Sequence, residues 1–369
     1  FDPAITRRNL AEANAAIPET ADPDILAAAY WKRGLAASNI GRSRQARDDF
    51  RTALQYSSYR NRFHPNLLFR LANIEAQFGN LDRAITLCEE SYFLRPRIKH
   101  CEQLVKSYSR KGDFKNVDLY LGVGLALAEA DKIVKKAKRR NGGPAALKAQ
   151  INGIHAQYYK YQGKYAQAEP YFRKRLELLL EIADRNPRSG INARMDLCAN
   201  LRKQKRLLEA EIEARKALRE ALGLGGLEGD FTARGVVALG KVLLKQKRFA
   251  EAEKLGRAGL RLLEEAGVPP DAFSIIKTRE FLITVLAGQS DFSGAVAEYD
   301  RARQFLEENS YKQRLLTLKA EIQMALIQVG RLDDAAAYIG KSYTVLRSRF
   351  WEQHRKTAIR LGLRGMVFY

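Results

Sequence analysis

Apolar residues recur at helical spacing along the chain, and each apolar stripe stops at a short turn motif. Leu68 and Leu71 mark one stripe, and Leu239 and Leu243 mark another. Spacings of three and four residues place side chains on the same face of an α-helix. The pattern therefore predicts a chain built of amphipathic helices.

The turn motif consists of a turn residue, a polar residue, an aromatic residue or Leu, two further positions and then a small residue. Its eight copies begin at Gly41, Gly79, Gly112, Gly163, Lys205, Lys247, Ser290 and Gly330. The copies end at Ala46, Ala84, Val117, Ala168, Ala210, Ala252, Ala295 and Ala335. A small residue is expected where the second helix of a pair crosses its neighbour closely. Gly at the turn adopts the left-handed conformation cheaply, whereas Lys205 and Lys247 must adopt it at some strain or use another turn. Each copy is predicted to be a helix hairpin.

This motif resembles the tetratricopeptide repeat family, whose units pair two antiparallel helices with small residues at fixed crossing positions. The resemblance covers about residues 24–346, and successive turns lie 38, 33, 51, 42, 42, 43 and 40 residues apart. These spacings exceed the roughly 34 residues of the common repeat, and the central copies are similar to the longer repeats of kinesin light chains and related bacterial proteins. The resemblance implies an all-α fold, a right-handed α-solenoid of about eight hairpins with terminal capping helices.

Interruptions of the repeat pattern divide the chain into four predicted segments. A leading helix, expected over residues 4–17, occupies segment 1–23, and the first three repeats occupy 24–140. The last helix of that segment is expected to extend from about Phe114 to Arg140 and to stop at a Gly-Gly-Pro signal. Repeats four to eight occupy 141–346, and a basic capping helix occupies 347–369. The glycine-rich segment 223–226 is expected to be a loop between repeats.

Composition narrows the class of partner and the compartment. The formal net charge of +22 favours acidic partners such as phosphates, anionic membranes or carboxylate-rich peptides. The longest uncharged apolar run, 120–128, is too short to cross a bilayer, which needs about 20 residues. Cys88, Cys101 and Cys198 lie in apolar helical patterns, so neither disulfides nor a zinc module is indicated, and a cytoplasmic location is favoured. Because the chain begins at Phe1 without Met, an exported or periplasmic location stays open.

Candidate catalytic chemistry is weak in this sequence. The four histidines have no metal-ligand partner at helical spacing. The neighbours His100 and Cys101 point about 100° apart on a helix, so they cannot share a hydrogen bond as a base and nucleophile would. We therefore expect a protein without enzymatic activity, metal or cofactor.

The geometry of a stacked-hairpin array predicts a groove, because the first helices of the hairpins line its concave face. Alignment of the copies on their turns, together with a partial likeness to the clamp described below, gives a candidate binding set of Asn73, Gln77, Lys99, Lys106, Arg110, Gln157, Lys160, Tyr161, Arg202, Lys203, Lys241 and Lys245. Lys and Arg can form charge-assisted bonds to carboxylates, while Asn and Gln can pair with peptide backbone. The sequence therefore predicts a scaffold or adaptor that binds an extended acidic peptide of a partner protein.

The resembled family also contains a clamp of Lys, Asn and Arg that recognises a peptide C-terminal carboxylate. Asn73 with Lys99, Lys106 and Arg110 echoes this clamp in part. No copy has the full set in register. An internal acidic stretch is therefore the expected ligand.

Two alternative functions remain open at this stage, as does the oligomeric state. Nucleic-acid binding is suggested by a possible anionic-partner patch of Lys132, Lys135, Lys136, Lys138, Arg139, Arg140, Arg355, Lys356 and Arg360. A solvated helix end explains the residues from Lys132 to Arg140 as well as a binding patch does, and a solenoid cap is the favoured explanation for the closing segment. The end of the chain at Tyr369 suggests instead the regulatory region of a larger enzyme, such as the bacterial proteins in which these repeats precede a caspase-like (CHAT) protease.

Overall fold

The computed structural model of the chain describes residues 3–133, 143–182, 187–227, 229–306 and 320–349, and these residues form helices and turns without a strand. The helices are α1 (Pro3–Ala13), α2 (Pro23–Asn39), α3 (Ser43–Tyr56), α4 (His64–Gln77), α5 (Leu81–Leu94), α6 (Ile98–Lys111), α7 (Phe114–Ile133), α8 (Gly143–Tyr161), α9 (Tyr165–Leu180), α10 (Pro187–Lys203), α11 (Leu207–Gly225), α12 (Asp230–Lys245), α13 (Phe249–Glu265), α14 (Phe273–Gly288), α15 (Phe292–Arg303), α16 (Ala320–Gln328) and α17 (Leu332–Arg349). The predicted all-α solenoid is confirmed: α1 precedes eight hairpins, from α2–α3 to α16–α17, and consecutive helices pack on each other.

Every hairpin turn uses the residue that the motif predicted, in the left-handed backbone region. Five turns have Gly there, and the other three have Lys205, Lys247 and Ser290 with φ of 64°, 63° and 65°. In all eight turns the amide of the next residue donates to the carbonyl five positions before it, as Arg206 does to Leu201 at 3.1 Å. This bond is the signature of a Schellman helix end. The three turns with a side chain therefore adopt the same geometry as the glycine turns.

The eight small crossing residues are buried without exception. Each of Ala46, Ala84, Val117, Ala168, Ala210, Ala252, Ala295 and Ala335 has 0% exposed surface. Their burial agrees with the close crossing of helices predicted from the motif.

A repeated polar link fixes the central hairpins to one another. Glu169 on α9 accepts hydrogen bonds from Gln204, at 2.8 Å, and from Arg206, which flank the next turn. The equivalent Glu211 on α11 accepts from Gln246, at 2.8 Å, and from Arg248, at 3.3 Å, around the following turn. The same three residue types at the same spacing give successive hairpins a similar relative orientation.

The solenoid curls until its first hairpin touches the fifth and sixth. The Asp230 amide donates to the Gly41 carbonyl at 3.2 Å, and Arg188 donates to the Ser38 hydroxyl. Gly225 packs so closely on the Ile40 carbonyl that a Cβ at this position would overlap it. The ends of α2, α10, α11 and α12 therefore form a seam that closes the array into a ring around a central cavity.

The structure corrects two predicted boundaries. The glycine-rich segment 223–226 is not a loop, since α11 continues to Gly225 and the turn begins at Gly226, with φ of 60°. Gly225 serves the seam, where only a residue without a side chain fits. The leading helix ends at Ala13, short of residue 17, which precedes Pro18 and is thereby disfavoured in a helix.

Other predicted boundaries fall partly outside the described residues. Within its described part, the extended helix α7 runs from Phe114 to Ile133. α17 continues past residue 346 to Arg349, and the rest of the predicted capping helix lies outside the described residues. The division of the chain into four segments stays a prediction. No helix in the described ranges combines the length and apolar character that a membrane crossing requires.

Candidate functional site

The ring encloses a cavity of about 1060 Å³, and first helices supply most of its wall. One position contributes from all six hairpins between the second and the seventh. It lies thirteen residues before the turn and is occupied by Asn66, Lys99, Gln150, Asn192, Arg234 and Lys277. All six side chains are polar and line the cavity. The first helices therefore present a row of donors and acceptors at a constant register.

Positive charge dominates the cavity wall. Eleven cationic side chains line it, and these are Arg70, Arg97, Lys99, Lys106, Arg110, Arg175, Arg188, Arg202, Arg234, Lys241 and Lys277. Three carboxylates line it as well, from Glu102, Asp196 and Asp230. The excess of cations gives the cavity a positive potential, which the concave, partly enclosed wall focuses.

Seven of the twelve residues predicted for the groove line this cavity, and these are Asn73, Gln77, Lys99, Lys106, Arg110, Arg202 and Lys241. Gln157 is instead buried between helices with 5% exposed surface. Lys160, Tyr161, Lys203 and Lys245 are exposed outside the cavity wall. The alignment on the turns places these residues in the groove because it assumes that the C-terminal end of every first helix reaches the cavity wall.

That assumption fails at the ends of the first helices in hairpins four to six. Arg110, two residues before its turn, lies in the wall because α14 crosses opposite it, with the guanidinium carbon 4.2 Å from the Phe273 ring centroid. Tyr161 occupies the same position in its own repeat but stacks on Phe114, with 6.3 Å between ring centroids. The predicted anionic-partner patch is not tested: Lys132 lies in α7, and the other eight residues of the patch lie outside the described residues.

Several cavity residues were not identified from the sequence. Arg234 and Lys277 occupy the same position relative to the turn as Lys99. The recurring polar residue at this position could therefore have identified them from the sequence. Arg70 and Asp196 both lie nine residues before a turn. Arg175, on a second helix, and Arg188, in the first turn of α10, enter the wall only because the array curls, and the linear sequence carries no signal for that.

One part of the cavity is electrostatically balanced. Arg175 donates to Glu102 at 2.7 Å. Burial raises the pKa of Asp196, but Lys106, Lys160, Arg175 and Arg234 together outweigh that effect and hold the pKa below its usual range. These residues form pairs of opposite charge, which stabilise one another within the wall.

Another part has more cations than carboxylates, and we call Arg70, Lys99, Arg188 and Arg234 the cationic cluster. Asp230 lies near Arg188 and Asp196 lies near Arg234, so four cations have two carboxylates as neighbours. Burial, with the added repulsion of Arg70 and Arg97, lowers the pKa of Lys99 to about 7. Burial also lowers the pKa of Arg188 to about 10; Asp230 opposes this shift, and Arg70 and Arg234 add to it. Arg70 therefore lies near both Lys99 and Arg188, although the three belong to hairpins two, three and five.

His100 and Cys101 have packing roles. His100 is 1% exposed, and its Nε2 shares a hydrogen bond of 3.0 Å with the Ser91 hydroxyl. Burial lowers the pKa of His100 to about 3 and raises the pKa of Cys101 to about 12. A neutral imidazole and a protonated thiol at neutral pH do not form an activated nucleophile.

Stacked hairpins around a concave cavity define a helical repeat protein of the solenoid class. Residues 32–97 match the tetratricopeptide repeat model, which confirms the resemblance predicted from the sequence. Repeats of this kind typically mediate protein–protein interaction and are typically non-catalytic. A comparison with curated proteins gives no match.

Three solved structures are similar to this chain at low sequence identity. BtubC (BKLC) from P. vanneervenii is 18% identical with a TM-score of 0.43, and the match covers 64% of this chain and 94% of that chain. A putative kinesin light chain of Podosopora anserina with nearly identical TPR-like repeats is 11% identical with a TM-score of 0.45, covering 57% and 98%. A Rap protein complexed with Competence and Sporulation Factor is 13% identical with a TM-score of 0.46, covering 92% and 97%.

Proposed function

We propose that this protein is an interaction scaffold that holds an extended, acidic segment of a partner protein in its central cavity. The observation that carries the proposal is the composition of the cavity wall, where eleven Lys and Arg side chains face three carboxylates. These cations come from consecutive repeats, so they can follow a ligand along its length. An acidic peptide offers a matching series of anions.

The polar row thirteen residues before each turn supports an extended peptide. Gln150 carries an amide that can donate and accept, as a peptide backbone requires. The Oδ1 atoms of Asn66 and Asn192 accept from Lys99 and Arg234, which leaves their amide nitrogens to donate to backbone carbonyls. The cations between them add charge-assisted bonds, each worth about 1.5–3 kcal/mol. Different positions of the same first helices would then bind the backbone and the acidic side chains of the peptide.

The volume of the cavity favours a short segment. About 1060 Å³ is near the upper end of the size of ligand pockets, which are roughly 300–1,000 Å³. A short stretch of extended chain suits such a space, whereas a folded domain does not enter it. We therefore propose that the partner contributes a terminal or loop segment.

Two adjacent residues provide a matched test. Arg202 lines the cavity, whereas Lys203 is exposed outside it, on the same helix. Arg202→Glu should weaken binding of a fluorescent, acetylated and amidated Asp/Glu-rich octapeptide at least tenfold, while Lys203→Glu should change it less than twofold. Anisotropy titrations measure both, and circular dichroism checks that helicity is unchanged. Equal losses in the two variants, or no loss in Arg202→Glu, would reject the cavity as the binding site.

The nucleic-acid alternative is tested in the same assay. Its predicted patch does not include the cavity, so RNA binding should be insensitive to Arg202→Glu and should weaken steeply as salt rises. Tight RNA binding with that profile, and no binding of the acidic peptide, would replace the proposal made here.

A further inference from the structure

The cationic cluster brings together four side chains from four different first helices. Arg70 belongs to α4, Lys99 to α6, Arg188 to α10 and Arg234 to α12, and all four line the central cavity. The Arg188 and Arg234 guanidinium carbons lie 5.0 Å and 5.8 Å from the centroid of the same Phe231 ring. Closure of the ring therefore concentrates positive charge that is spread over 165 positions of sequence.

Three cations of the cluster donate hydrogen bonds to neutral groups, and the nearby carboxylates of Asp230 and Asp196 offset part of the charge of Arg188 and Arg234. Lys99 Nζ donates to Asn66 Oδ1 at 3.1 Å and lies 4.1 Å from the Phe69 ring centroid. Arg188 donates to the Ser38 hydroxyl, and Arg234 donates to Asn192 Oδ1 at 2.8 Å. These partners orient the cations and leave their charge in place.

One donor of the cluster has no protein acceptor. The second terminal nitrogen of Arg234, Nη1, is buried and makes no hydrogen bond. A buried donor of a charged group without an acceptor costs free energy, more than the roughly 1–3 kcal/mol of a neutral group. The buried Asp230 Oδ1 also lacks a hydrogen bond and favours a donor. The repulsion among like charges and the unused donor of Arg234 favour an anion, and the excess of cations over carboxylates makes an anion the preferred ligand.

The amount of charge favours a phosphoryl group over a carboxylate. A carboxylate carries one negative charge and two oxygens, whereas a phosphoryl group carries about −1.5 to −2 at pH 7 and has three strong acceptor oxygens. Guanidinium forks match phosphate oxygens in pairs. Three Arg and one Lys exceed the nearby carboxylates of Asp196 and Asp230 by two charges, which is more than one further carboxylate can neutralise.

We propose that the cationic cluster binds the phosphoryl group of a phosphorylated side chain within the acidic segment of the partner. This inference rests on the proposed function, because it assigns a specific chemistry to one point of the same cavity. The Arg175–Glu102 pair is balanced and therefore unsuited to a dianion, which favours the cluster as the position of the phosphoryl group along the groove. Phosphorylation of the partner would then strengthen its capture by the scaffold.

The test uses four probes with the full chain. Three are acetylated and amidated Asp/Glu-rich octapeptides that carry Ser, Glu or phosphoserine at one central position, and the fourth is inorganic phosphate alone. Anisotropy and calorimetric titrations at pH 7 and constant salt measure each affinity. We expect the phosphoserine peptide to bind at least tenfold more tightly than the Ser peptide, and the Glu peptide to recover less than half of that gain on a logarithmic scale.

Variants identify the cluster as the source of that gain. Arg70→Gln and Lys99→Gln should each reduce the phosphoserine gain to less than threefold, while Lys254→Gln, an exposed cation on α13, should leave it unchanged. Removal of one like charge should leave the melting temperature of the free protein unchanged or higher. An unchanged or higher melting temperature in these variants would exclude misfolding as the cause of lost binding. Loss of the gain in Lys254→Gln to the same extent would overturn the assignment.

The outcomes separate this inference from the proposed function. If the Ser, Glu and phosphoserine peptides bind equally, the phosphoryl site is wrong and the acidic groove stands. If inorganic phosphate binds the cluster but phosphoserine adds nothing, the source of the anion is a free ion and the inference is overturned. If no peptide binds, the proposed function fails and this inference fails with it.

Discussion

The guanidinium carbon of Arg110, in the third hairpin, lies 4.2 Å from the centroid of the Phe273 ring in the seventh. Arg110 Nη1 also donates to the Ala76 carbonyl of the second hairpin at 3.1 Å. One side chain thus connects helices of the second, third and seventh hairpins. This contact and the seam at Gly41 and Asp230 turn an open solenoid into a ring, and the ring concentrates the cations of the cavity.

Removal of the Phe273 ring should loosen the closure. Phe273→Ala removes a cation–π contact worth about 0.5–2 kcal/mol, together with part of the apolar surface between α6 and α14. We expect a larger radius of gyration by small-angle X-ray scattering and a lower free energy of unfolding by about 1–2 kcal/mol. Phe93→Ala, at a ring with 86% exposed surface, is the control and should change neither quantity. An unchanged radius in Phe273→Ala would mean that the contact does not hold the ring closed.

Two glycines of α11 test the seam in a matched pair. A Cβ on Gly225 would overlap the Ile40 carbonyl, whereas a Cβ on Gly223 meets nothing within 4 Å. Gly225→Ala should therefore destabilise the protein by about 1–3 kcal/mol through overpacking. Gly223→Ala should stabilise it by up to about 1 kcal/mol, because Ala favours the helix. Urea denaturation measures both free energies of unfolding. A stabilising Gly225→Ala would show that the seam accommodates the added methyl group without loss of stability.

The local part of the fold could be read from the sequence, and the non-local part could not. Turns such as Lys205 and crossing residues such as Ala210 depend on a few neighbouring positions, so their pattern repeats visibly along the chain. Ring closure depends on a small rotation per repeat, which no single residue encodes. Cavity residues on the first helices were therefore predicted in part, whereas Arg188 was missed because its place depends on contact with Ser38.

The three turns that lack Gly offer a test of strain. Lys205 and Lys247 have φ of 64° and 63°, a conformation that costs a residue with a Cβ about 1–2 kcal/mol. Lys205→Gly and Lys247→Gly should each raise the free energy of unfolding by up to about 1 kcal/mol, the relief of strain exceeding the entropy that Gly loses. Lys254→Gly, inside α13, is the matched control and should lower it by about 1 kcal/mol. A loss of stability in both turn variants would indicate that the Lys side chains stabilise their turns.

The pKa of Lys99 predicts a pH dependence of binding with a definite sign. Burial and repulsion from Arg70 and Arg97 lower the pKa to about 7, so Lys99 is protonated at pH 6 and mostly neutral at pH 8 in the free protein. A bound carboxylate favours the cation and raises the pKa again. Binding of the unphosphorylated acidic peptide should therefore take up a proton above pH 7, and its affinity should fall by up to about tenfold per pH unit there.

The same group affects stability in the opposite direction. Its folded pKa lies below the unfolded value of 10.5, so between about pH 7 and 10.5 the unfolded chain binds more protons, and the contribution of Lys99 to the free energy of unfolding rises with pH. Lys99→Arg retains the charge over this range and should remove both effects while it preserves binding at pH 8. Calorimetry in buffers of different ionisation enthalpy measures the proton uptake directly. A Lys99→Arg variant that still takes up a proton at pH 8 would assign the titration to another residue, because a guanidinium does not deprotonate there.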